Sequence, residues 1–368
     1  MTLRAQASVF VCLAIATLIL AISSSGQPQQ SNNATTNPEA ELQTGIALTR
    51  NGDFTEAIPH FLAARGHVNE EYAEDFNLAL CYVATGQDRP AIQILIAMRA
   101  EGHTNSEVDN LLAQAYIGDG QTQPAFEAFQ QAATLTPQNE KLYLFIADAC
   151  MQKKNNELGL RVMDLGVRNV PQSPRIHYQR ALFLNNLERF DLAQNDFEAT
   201  KQLAPESEFA FLADGQEGLL EGNIPQAVRA ARAGVQHYPD NYILLQMLGE
   251  ALIHAGAAPG QPDFQEALGA LQKSVALRPD YAQSQTALGK LYLMENRVDD
   301  AIVHLEAARR LDPSETSVYS HLATAYRRKG EPQEAQKMLT ILAGLNDAVA
   351  GKIRAGPPAR AGSSGSPQ

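Results

Sequence analysis

Apolar residues along this chain follow a three-and-four rhythm that stops and restarts. In "ALGKLYLMENRVDDAIVHLEAARRLDP" (287–313), Leu288, Leu291 and Tyr292 make one helical stripe. Ala301, Ile302, Leu305 and Ala308 make a second. The polar "ENR" between them predicts a turn, and Pro313 predicts a stop. Proline has no backbone N–H and biases the residue before it away from helical geometry. The segment therefore reads as helix, tight turn, helix, stop.

The unit recurs. Pro137, Pro171, Pro205, Pro239, Pro279 and Pro313 are separated by 34, 34, 34, 40 and 34 residues. A small residue in the second helix repeats in the same frame at Ala57, Ala91, Ala125, Gly159, Ala193, Ala227, Ala267, Ala301 and Ala335. Four residues later stand Phe61, Leu95, Phe129, Met163, Phe197, Ala231, Leu271, Leu305 and Leu339. Small and bulky positions on one stripe let a neighbouring helix approach closely and fill the space beside it. Gly52, Gly86, Gly120, Gly222 and Gly330 mark the turns between first and second helices.

This pattern resembles the tetratricopeptide repeat family, and the match runs from about Pro38 to Asn346. The resemblance implies an all-α fold, a right-handed superhelical solenoid of about nine helix-turn-helix repeats. First helices would line an inner groove and second helices an outer wall. Each repeat would bury its apolar face only against its neighbours. Several features depart from the pattern. The chain has no tryptophan, Pro59 falls inside a second helix, and "AAPGQP" (257–262) lengthens the turn of repeat 7. Gly218, Ala231 and Gly234 make repeat 6 lean, which suggests a weak joint.

The resemblance also places the binding surface, on the first-helix positions that face away from the core. In the middle of the array these offer apolar anchors at Phe76, Leu80, Leu144, Tyr178, Leu182 and Leu212. Asn110, Gln114, Asp148 and Gln216 stand among them. The expected ligand is an extended or helical protein segment, its apolar side chains anchored and its backbone met by amides. The same leucines would alternatively pack into the seam between adjacent first helices.

Charge and chemistry narrow the reading. Twenty-nine Lys and Arg stand against 41 Asp and Glu, a net charge of −12. That argues against nucleic acid and anionic lipid as partners, because both are held by clustered cations. None of the eight histidines lies in a metal-ligand spacing, and no nucleophile elbow or phosphate loop is present. Cys81 and Cys150 read as small apolar core residues. No catalysis and no cofactor is expected.

The ends differ from the repeats. Arg4 followed by the apolar run "VFVCLAIATLILAI" (9–22) makes residues 1–26 read as a signal peptide, or as an uncleaved anchor. Membrane contact would then be through residues 1–26 alone. Residues 27–37 read as a disordered linker and 347–368 as a helix end with a disordered tail. The expected protein is an exported, periplasmic or secreted adaptor without enzymatic activity; the anchored form would face the periplasm from the inner membrane. Two alternatives stay open: a homo-oligomeric structural component of the envelope, or a non-catalytic subunit delivering substrate to an envelope enzyme.

Overall fold

A computed structural model describes residues 37–355, which form 18 helices and, among these residues, no strand. The signal or anchor expected over 1–26, most of the linker and the end of the tail lie outside the described residues. Asn37 is not linker: its side chain caps the first helix, accepting from the Glu39 amide at 3.1 Å. The chain divides into two compact units, one up to Ala213 and one from Asp214.

The first unit contains five helical hairpins. They are α1 (Pro38–Asn51) with α2 (Phe54–Ala64), α3 (Glu71–Ala84) with α4 (Asp88–Ala100), and α5 (Ser106–Gly118) with α6 (Thr122–Leu135). Next come α7 (Glu140–Gln152) with α8 (Asn156–Asn169), and α9 (Pro174–Asn186) with α10 (Phe190–Leu203). Helix α11 (Glu208–Leu220) contains the division. The second unit continues with α12 (Ile224–His237), α13 (Tyr242–His254), α14 (Pro262–Leu277), α15 (Ala282–Met294), α16 (Val298–Leu311), α17 (Thr316–Lys329) and α18 (Pro332–Ala355). Pro59 lies inside α2 without ending it.

Inside the first unit each helix packs on the next, and first helices of successive hairpins also touch: α1 with α3, α3 with α5, α5 with α7, α7 with α9. The second unit repeats this with α13, α15 and α17. The expected small and bulky positions form the cores. Phe61, Leu95, Phe129, Met163, Leu271 and Leu305 are all fully buried. A Cβ on Gly45 would lie 2.9 Å from the Phe61 ring, so the glycine makes room for the aromatic. The lean repeat has its own reason. A Cβ on Gly218 would come within 2.7 Å of the Ala227 backbone nitrogen, so the glycine lets the backbones of the two helices approach closely.

The turn after every first helix passes through left-handed geometry. Glycine supplies it six times, at Gly52, Gly86, Gly120, Gly222, Gly256 and Gly330. Lys154, Glu188 and Asn296 adopt it with φ of 53°, 58° and 59°, at a strain that glycine would not incur.

The recurrent proline has a second use beyond stopping a helix. At four of the six its carbonyl accepts a hydrogen bond from the side chain six residues later, in the first turn of the next first helix; the side chains of Phe211 and Leu245, six after Pro205 and Pro239, have no donor. The Tyr143 hydroxyl donates to Pro137 at 2.8 Å, and the Tyr319 hydroxyl to Pro313 at 2.7 Å. The Gln285 amide reaches Pro279 at 2.8 Å, and the His177 Nε2 reaches Pro171 at 3.1 Å. In three hairpins the same side-chain position also clasps the second helix, 19 residues away. His60 Nδ1 meets Glu41 at 2.5 Å, His177 Nδ1 meets Asp196 at 2.8 Å, and His304 Nδ1 meets Gln285 at 2.7 Å.

Candidate functional site

The first helices of the first unit bring most of the sequence-predicted residues onto one face, because α3, α5, α7 and α9 lie side by side. Gln216 belongs to the second unit and is described apart from them.

The face is less exposed than the sequence frame suggests. Leu212 is 0%, Leu80 and Leu144 5%, Tyr178 6% and Gln114 4% exposed. Buried to this degree, these five side chains do not present themselves to solvent. Phe76, Leu182 and Asn110 are half-exposed, Asp148 is exposed, and Gln216 is half-exposed in its own unit.

At one end of the face Tyr72 and Phe76 stack with ring centroids 6.0 Å apart and planes 9° from parallel. The Asn105 amide donates to the Tyr72 hydroxyl at 2.8 Å and holds that ring in place. At the other end Tyr178 lies between Phe197 and Phe209, 6.0 and 5.9 Å away by ring centroid. The Arg175 guanidinium sits 5.8 Å from the Phe209 ring centroid, a loose cation–π contact. Sequence reasoning missed Tyr72, Arg175 and Phe209. Arg175 and Phe209 stand at the second residue of successive first helices, a groove position of the same frame.

Asp148 is open to water yet hemmed in by protein. That crowding desolvates its carboxyl and raises its pKa, with Arg175 pulling the other way. Two amide oxygens are more telling. Asn110 Oδ1 and Asn185 Oδ1 are buried and have no hydrogen-bond partner within the protein. A buried acceptor left unmatched costs about 1–3 kcal/mol.

Among the described residues no group of three or more His, Cys, Asp or Glu could hold a metal ion. Both cysteines are buried, and burial pushes their thiols up to about 11 for Cys81 and about 12 for Cys150. Neither is a thiolate at neutral pH. No helix among the described residues is long and apolar enough to cross a membrane.

Three family models described as Tetratricopeptide repeat match residues 48–115, 110–139 and 260–316. Yeast Tom70 is similar in structure, with a TM-score of 0.57 at 17% identity, over 92% of this chain and 76% of that one. A tetratricopeptide repeat protein from Parabacteroides merdae gives a TM-score of 0.51 at 18% identity, over 69% of this chain and 98% of that one. At such identities the likeness concerns the fold alone. No curated protein matches the sequence.

Proposed function

We propose, from the premise that the chain belongs to the tetratricopeptide-repeat family, that it is a non-enzymatic adaptor. Its first unit holds a segment of a partner protein against the faces of α3, α5, α7 and α9. One observation supports this reading: Phe76 and Leu182, apolar side chains on the first helices of two hairpins, remain part-exposed in the fold. A polypeptide brings apolar side chains as their complement. Residues 1–26 support export, and the adaptor then works in the periplasm, free or anchored at the inner membrane.

Placement of a photo-crosslinking amino acid tests this in intact cells. Positions 76 and 182 are expected to capture the same protein. Position 303, where Val303 is 64% exposed in the second unit, is the control and is expected to capture none of it. An identical adduct from all three positions, or none from 76 and 182, would overturn the assignment.

A further inference from the structure

The second unit contains a cleft that the adaptor reading does not use. It has a volume of about 510 Å³ and lies between α12 and the C-terminal end of α13. Ile224, Pro225 and Val228 give it an apolar wall, and Arg229 and His254 stand at it as well. The volume falls within the range of small-ligand sites, and a mostly apolar lining with a few placed polar groups is their usual make-up.

The charges at the cleft are unevenly committed. Arg232, which also lines it, is fully engaged: its guanidinium reaches Glu266 at 2.6 Å and Asp263 at 2.7 Å. One guanidinium is shared by the two carboxylates, so the trio keeps a net charge of −1. Arg229 is exposed and makes no ion pair or hydrogen bond among the described residues. His254 has only a distant acid, its Nε2 lying 3.9 Å from Glu250. Glu250 in turn accepts from the Gln246 amide at 2.7 Å. In a chain of net charge −12, an uncommitted guanidinium beside an apolar wall is a complement for one kind of ligand.

We propose that this cleft binds a small organic carboxylate with an apolar body. Arg229 receives the carboxylate as a guanidinium fork, His254 donates beside it, and Ile224, Pro225 and Val228 cover the apolar part. The six-residue lengthening of the α13–α14 connection begins just beyond Ala255, which lines the cleft at that end. The cleft thus lies where the hairpin with the lengthened connection meets the one before it.

Calorimetric titration of the purified protein tests this with three probes of one chain length: octanoate, octylammonium and octanol. Octanoate is expected to bind saturably at one site, at least tenfold more tightly than the other two. Arg229→Gln is expected to weaken octanoate about tenfold and leave the thermal midpoint unchanged, since the exposed side chain holds nothing in the fold. Arg229→Glu is expected to abolish octanoate binding and leave octanol as it was. The absence of saturable octanoate binding, equal binding of all three probes, or octanoate affinity unmoved by both variants would each overturn the proposal.

Discussion

Two buried acidic sites in the first unit solve the same problem differently. Asp196 on α10 is 2% exposed and meets three donor contacts: Arg180 at 2.6 and 2.8 Å and His177 at 2.8 Å. Burial works against its charge, but the hydrogen bonds and charges of His177 and Arg180 outweigh burial and hold its carboxyl below the ordinary range. Glu74 and Asp75 on α3 have one cation between them. Arg65 reaches Asp75 at 3.1 Å but Glu74 only at 3.9 Å. Burial and the neighbouring Asp75 charge raise Glu74 to about 7. Burial also raises Asp75, against the pull of Arg65. The difference teaches that the number of donors reaching a buried carboxylate, rather than its depth, decides whether it stabilises the fold.

The comparison can be broken, and the largest effect belongs to Asp196. Asp196→Ala leaves Arg180 and His177 without their shared acceptor, and urea unfolding at pH 7 is expected to show a loss of about 3 kcal/mol. Glu74→Gln is expected to do the opposite. It removes a buried charge that the Gly66 amide and a distant Arg65 only partly compensate, and should stabilise the protein by about 2 kcal/mol at pH 8.5. The sign depends on pH. The folded-state pKa of Glu74 lies above its ordinary value, so its favourable contribution is whole below about 4.5 and is lost as pH rises through about 7. At pH 4 the variant should therefore gain nothing, which thermal melts at the two pH values would show. A gain of equal size at both would sink the charge argument. The smallest effect is expected from His177→Gln. A glutamine can serve either the Asp196 carboxylate or the Pro171 carbonyl, so about 1 kcal/mol should be lost in the same urea measurement.

Much of this fold is legible without coordinates, because its signals are local. The period of apolar residues, the small position at Ala301 and its equivalents, and the turn glycines each report on the residues beside them. The clasps were not legible. Glu41 with His60, His177 with Asp196 and Gln285 with His304 are each 19 residues apart, a spacing with meaning only once the hairpin is folded. A scan of the histidines for metal spacings passes over all three pairs. The candidate face was half legible. The frame placed Leu80, Leu144 and Leu212 on first helices, but a local pattern does not tell an open position from a buried one a turn away, and all three are buried. Arg175 was missed because its role rests on Phe209 in the next first helix, a pairing no local pattern announces.

The hooks onto the proline carbonyls change where one building block ends and the next begins. A block drawn from the start of one first helix would be severed from the carbonyl that its leading side chain needs. Drawn from the proline instead, the piece from Pro137 to Val170 contains its own hook, Tyr143 onto Pro137, and both helices of its hairpin. Its other end offers the next block, beginning at Pro171, nothing that the hook of His177 requires. Cassettes cut immediately before the prolines are therefore the ones to duplicate, delete or exchange, and arrays lengthened at those joints keep every hook intact.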